Sequence, residues 1–143
     1  MSNFQIQPAT KEAAIEVASN LRFEDKREIE EGWGYNPTSY LPEIINYGDN
    51  ICFTVPNGKT AGLAGIYNKE IIWMVTTPEI YNYPLSFARG AKNFINQRTE
   101  PVLWNIADKR NTVHLKLLKF LGFKFLREVI HGPRNLTFIE FSL

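Results

Sequence analysis

Few side chains in this sequence could carry acid–base or covalent chemistry, and no spacing fixes a reaction. His114 falls three residues after Asn111, one turn into a helix. Without a serine or carboxylate partner at a fixed spacing, it reads first as packing or cap support and second as a catalytic candidate. His131 sits in a turn and is expected in solvent. Glu70, Glu79 and Glu128 are the carboxylates that could serve as a base, each read first as a surface group. Cys52, inside Ile51-Cys52-Phe53-Thr54-Val55, reads as a small apolar strand residue. One cysteine makes neither an internal disulfide nor a thiolate cluster, and two histidines are too few for a metal site, so no metal is expected. Asp108-Lys109-Arg110-Asn111 is a basic loop leading into a helix. With Lys116, Lys119 and Lys124 it could hold an anion or an acidic partner surface, although a solvated face is the plainer reading. Trp33, Tyr35 and Tyr40 lie in a segment broken by glycine and proline. They are candidates for protein contact, or for covering a sheet edge.

These residues need a scaffold, and 143 residues give room for one domain, taken as residues 1–143. Leu, Ile, Val and Phe make up about 29% of the chain, well above the disordered range. A net charge of +1 gives no support to nucleic-acid binding on bulk charge. The halves differ, however: residues 1–80 carry six basic and eleven acidic side chains, and residues 81–143 carry ten and four. The start MSNFQIQPATKEAA lacks a basic region followed by an apolar stretch, and no apolar run is long enough for a bilayer. A soluble chain in a reducing compartment is the expectation.

Alternation from Phe4 to Gln7 predicts a first strand ending at Pro8, after which Thr10 caps a helix from Lys11. Residues 23–33 read as a charged helix ending in Gly32-Trp33-Gly34-Tyr35-Asn36-Pro37, and a further helix runs from Thr38 or Ser39 to Tyr47. Ile51–Val55, Thr60–Tyr67 and Ile71–Thr76 form an antiparallel meander around two turns. Its last strand is apolar on both faces and hence central. A helix over Pro84–Gln97 presents Phe87, Ala91, Phe94 and Ile95 on one face. A strand follows over Val102–Ile106, then a helix capped by Asn111 with Val113, Leu117, Leu118 and Leu121 buried, and a closing hairpin turns at His131-Gly132-Pro133-Arg134. The order predicts an α/β fold on one mixed, mostly antiparallel sheet with flanking helices.

This order, with Asn111-x-x-His114-x-x-Leu117-Leu118-x-Phe120-Leu121-Gly122-Phe123, resembles the GCN5-related N-acetyltransferase (GNAT) superfamily, whose helix there reads approximately N-x-x-A-x-x-L-Y-x-K-L-G-F. The resemblance implies acetyl-CoA in a cleft where the strand ending at Thr76 splays from the strand Val102–Ile106. Val75, Thr76, Thr77, Asn105 and Asn111 would then be its binding residues. It also implies a pyrophosphate loop of the form [QR]-x-x-G-x-[GA] at the start of the next helix, where exposed backbone N–H groups cradle phosphate. After Thr77-Pro78-Glu79 this sequence instead runs Tyr81-Asn82-Tyr83-Pro84-Leu85-Ser86. No glycine lies between Gly65 and Gly90, and Pro84 has no N–H to offer. Leu118 stands where many members have the tyrosine that protonates the departing thiolate.

Residues 102–125 are also similar to a family of small acetyltransferase-like proteins of podovirus-type bacteriophages associated with internal virion components. Together these resemblances give the expectation of a degenerate, non-catalytic GNAT-like domain. It would act in a phage virion or host cytoplasm by contact with other virion or assembly proteins. Trp33, Tyr35, Tyr40, Lys109, Arg110, Lys116 and Lys119 would supply its interface, and no cofactor or membrane is expected. The alternative is an active N-acetyltransferase that uses acetyl-CoA to acetylate an amine, with His114 or Glu79 moving the proton.

Overall fold

The computed structural model describes residues 4–143. Seven strands form one sheet in the order β1-β2-β3-β4-β5-β7-β6, with β4 (Ile71–Thr76) at its centre as its two apolar faces require. β1 (Gln5–Pro8), β2 (Asp49–Thr54), β3 (Thr60–Tyr67) and β4 pair antiparallel in succession. β5 (Trp104–Asp108), β7 (Leu136–Ser142) and β6 (Lys124–His131) form a second antiparallel set. The junction between the sets is the parallel pair β4–β5.

On one face lie α1 (Lys11–Ala18), α2 (Phe23–Arg27), a π-helical segment (Glu28–Trp33) and α3 (Pro37–Ile44). Thr10 starts α1 by accepting the Ala13 N–H at 3.1 Å. Ala13, Ala14 and Val17 pack with Leu41, Leu63 and Val75 in the core of this face. A 3₁₀ turn (Pro78–Asn82) leads to α4 (Pro84–Asn96), which with α5 (Thr112–Phe120) covers the other face over Ile66, Ile72, Leu103 and Phe141. The expected helix over residues 23–33 is thus α2 widened into a π turn. The extra residue per turn directs Ile29 and Gly32 inward and ends at Gly34 in the left-handed region, φ 79°.

The β6–β7 hairpin is seated against the π segment by two glycines. Gly132 has φ 82°, and a Cβ there would lie 1.9 Å from the Gly32 carbonyl oxygen, a backbone atom that cannot give way. Gly58 has a similar φ of 88° with open space around it. Thermal unfolding of Gly58→Ala should therefore report only the left-handed strain, about 1–2 kcal/mol, whereas Gly132→Ala should cost more by about 1–3 kcal/mol of overpacking. Equal losses would remove the steric argument.

Two expectations near α5 need correction. Asn111 precedes the helix but makes no side-chain cap, because its amide is engaged elsewhere. Val113 is exposed at 37%, while Leu118 carries the burial at 5%, so the inward stripe is rotated away from residue 113.

Candidate functional site

β3 holds one edge of β4, and β7 holds β5 along its whole length. Between β4 and β5 the only paired residues are Ile71 and Trp104. Beyond them a side chain takes over from the backbone: Asn105 Nδ2 donates to the Ile72 carbonyl at 2.8 Å, and its Oδ1 accepts the Ile106 N–H at 2.7 Å. Asn105 is the wedge at which the two strands part.

Spaces lie on both sides of the sheet here. On the α4–α5 face the gap has beside it a narrow apolar slot of about 50 Å³ under Phe87, Phe94, Leu117 and Leu118, lined from β4 but not from β5. On the α1–α3 face it opens into a cavity of about 430 Å³, walled by Trp33, Tyr40, Tyr67 and Trp73 with the carboxylates of Glu28 and Glu43. Ile72, Trp73, Met74, His114 and Phe141 line both spaces, so they stand between them. A cavity of this size takes a small molecule, with aromatic walls for an apolar body and few polar groups to orient it.

At its far end the gap is filled by polar side chains from four elements. Arg22 and Asp25 are 2% and 4% exposed and form an ion pair at 2.9 Å. Arg22 Nε donates to Thr76 Oγ1 at 2.9 Å, its Nη2 donates to Asn111 Oδ1 at 3.0 Å, and its Nη1 donates to the Tyr81 hydroxyl at 3.1 Å. Asp25 accepts from the Thr76 N–H and from Asn111 Nδ2, both at 2.9 Å. The partners span residues 22 to 111, which only the fold brings together.

Beside this cluster Glu28 Oε1 accepts the Asp108 N–H at 3.0 Å. Glu28 lines the cavity and is only partly exposed, and burial together with the nearby Asp25 charge pushes its pKa up to about 8. Burial likewise lowers the His114 pKa, Asp25 opposing and Arg22 reinforcing the shift, so the imidazole is neutral at physiological pH. Asp108 remains anionic: Arg110, at 2.8 Å, outweighs the burial that would raise its pKa. A neutral imidazole and a carboxyl titrating near 8 are proton-transfer groups matched to mildly alkaline conditions.

The residues named from sequence separate into two groups. Thr76, Asn105, Asn111 and His114 meet at the gap, with Val75 and Thr77 adjoining it on β4 and the following turn. The Thr77 N–H is bonded to the Ala61 carbonyl, and its hydroxyl caps the 3₁₀ turn at Glu79 N. Glu79 accepts from Asn57 Nδ2 at 2.8 Å and lines neither space. Glu128 pairs with Lys109 at the surface. His131 is not in solvent as expected but lies 4.2 Å from the Trp33 ring. Trp33 itself turns inward onto His131 and Phe138, lining the cavity, because the π turn rotates it under the sheet. Tyr35 stacks on Tyr40 at 4.7 Å, Arg110 bridges Asp108 and Glu31, Lys119 lies over the Phe125 ring, and Lys116 is exposed.

Arg22, Asp25 and Glu28 were not anticipated as site residues. One signal was present: Ile29 is the sole aliphatic residue between Phe23 and Trp33, and Asp25 and Arg22 precede it by four and seven, on its buried stripe.

No protein-family model and no curated protein matches the sequence. Solved structures do match. A GNAT-family acetyltransferase from Bacillus anthracis aligns with a TM-score of 0.71 at 13% identity, over 99% of this chain and 95% of its own. Spermidine N-acetyltransferase from Vibrio cholerae, solved with CoA and spermine, gives 0.70 at 12% identity over 99% and 95%. Ribosomal-protein-S5-alanine acetyltransferase from Vibrio fischeri gives 0.68 at 15% over 100% and 93%.

At these identities the likeness establishes the fold: this chain has the GNAT architecture. It also corrects the functional expectation. These matched structures are N-acetyltransferases, and nothing in them supports a non-catalytic virion or assembly component. The expected lack of a cofactor is equally unsupported, one of these proteins having been solved with CoA. No helix among the described residues is long and apolar enough to cross a membrane.

Proposed function

We propose that this chain is an N-acetyltransferase that moves an acetyl group from acetyl-CoA to a primary amine on an apolar or aromatic body. The observation that carries the reading is the parting of β4 from β5 beside an amine-sized cavity, with an apolar slot on the other face of β4 that shares five lining residues with it. A two-substrate transfer needs donor and acceptor to meet, and the place where the strands part leaves backbone free beside a cavity for the acceptor. The aromatic walls favour an apolar amine over a polyamine, and Glu43 supplies a carboxylate that attracts an ammonium group. The activities in the names of the matched structures, on spermidine and on a ribosomal-protein alanine, agree with an amine acceptor.

On the acceptor side Glu28 would take the proton that the amine loses as its nitrogen bonds to the acyl carbon and the thioester C–S bond breaks, CoA leaving as a thiolate that solvent water protonates. Its carboxyl is ionised above a pH of about 8, where a primary amine also begins to be available uncharged. Neutral His114 lines the cavity, and leucine at position 118 can supply no proton.

The cofactor's fit differs along β4. Met74 lies on the same edge as Ile72 and Thr76, so by the antiparallel alternation its N–H and C=O face the gap and suit an extended amide arm. At Thr76 both backbone groups are taken, by Arg22 and Asp25, and Pro84 brings no N–H to the start of α4. As arranged, the residues do not accommodate coenzyme A over its whole length.

Incubation with acetyl-CoA and a panel of aliphatic, aromatic and polyamine acceptors, read by product mass, should give acetylated arylalkylamines at a rate that rises toward a pH of about 8. Absence of acetyl transfer to every amine would sink the reading.

A further inference from the structure

The polar cluster at the far end of the gap does more than fill space. Arg22 donates its backbone N–H to the Thr76 carbonyl at 3.0 Å, and the Thr76 N–H donates to Asp25 Oδ2 at 2.9 Å. The Thr76 hydroxyl is engaged by the same two residues, accepting from Arg22 Nε and donating to Asp25 at 3.1 Å. Residues 22–25 thereby satisfy the edge of β4 as an added strand would. On the opposite wall Asn111 binds both members of the ion pair, and outside it Tyr81 Oη accepts from Arg22 at 3.1 Å.

We propose that Arg22 and Asp25 form a plug that occupies the path of the cofactor arm along β4 and must withdraw before an acyl-CoA can bind there. This rests on the acetyltransferase reading above. Three features make withdrawal feasible. Helix α2 runs on into the π segment that Ile29 anchors, but Arg22 and Asp25 lie at its first turn, entered from the turn at Ser19 and Asn20, where a helix end can fray. Its aromatic residue, Phe23, is 67% exposed and ties nothing to the core. What the segment buries is polar, and water can replace those hydrogen bonds once they are exposed, so release forfeits little apolar burial. Arg22 and Asp25 are also each other's counter-charge, so they can leave together without stranding a charge in the gap. Apparent cofactor affinity is then reduced by the fraction of molecules in which the plug is out.

The test uses the full chain and coenzyme A itself, with calorimetry for affinity and amide hydrogen exchange for the plug. Saturating coenzyme A should speed exchange at the amides of Arg22 and Lys26, which now donate to the Thr76 and Arg22 carbonyls. Tyr81→Phe removes the outer latch at an exposed position and leaves the fold intact. It should tighten coenzyme A binding about three- to tenfold, the worth of one hydrogen bond. Asp25→Asn, which loosens the plug at its centre, should tighten it at least as much. Coenzyme A binding with the Arg22 and Lys26 amides still protected, or no tighter in Tyr81→Phe, would overturn the plug while leaving the acetyltransferase reading standing. No binding to the wild type or either variant would overturn both.

Discussion

Glu28→Gln is expected to lower kcat/KM for amine acetylation by about 10²- to 10⁴-fold while making the protein more stable at alkaline pH. The two effects have one cause. The folded protein holds the Glu28 carboxyl at a pKa of about 8, against 4.5 for the ordinary group, so between those values the folded state retains a proton that the unfolded chain releases. Glu28's contribution to stability is therefore complete below a pH of about 4.5 and is lost as pH rises through about 8, at up to about 1.4 kcal/mol per pH unit. Glutamine never ionises, yet its carbonyl can still accept the Asp108 N–H, so the variant keeps the contact and loses the slope. Urea unfolding at several pH values between about 5 and 9, beside pH–rate profiles, checks both halves. Parallel stability curves for wild type and variant would show that Glu28 does not carry the shifted proton. An unchanged rate would remove it as the base.

Asp25→Ala is expected to cost about 3–5 kcal/mol, enough to leave a domain of ordinary stability marginal. Asp25 accepts from both Arg22 Nε and Nη2, from the Thr76 amide and hydroxyl, and from Asn111 Nδ2. Alanine strands a guanidinium that is 2% exposed together with the Thr76 N–H. The loss comes from the charge left behind, so the paired replacement Arg22→Met with Asp25→Leu should recover most of it. The surface pair Lys109–Glu128, 55% exposed on both sides, is the contrast: Glu128→Ala should change stability by less than about 1 kcal/mol. Chemical denaturation of the four proteins decides the matter. An Asp25→Ala protein as stable as Glu128→Ala would mean that the buried pair does not lock the end of the gap.

Elements with local causes are legible from the residues alone. Thr10 starts α1, Pro84 opens α4, the turns on either side of Thr60–Tyr67 bound β3 to the residue, and continuous apolar character puts β4 at the centre of the sheet. Each depends on residues a few positions apart, so composition and spacing are enough. The missing phosphate-loop glycine is equally local, but the inference from it to an inert assembly component does not stand against the matched acetyltransferase structures, because one loop does not decide what the rest of the fold can bind.

Tertiary structure decided the site. Asn111 reads as a helix cap until Arg22, 89 positions earlier, supplies a stronger partner. Trp33 reads as an outward aromatic until the π turn swings it under the sheet against His131 and Phe138. Arg22, Asp25 and Glu28 read as solvated charges because nothing near them in sequence shows that β4 and β5 part company beside them. A hydrogen bond spanning 50 to 90 residues is set by strand order and splay, and those are properties of the whole chain.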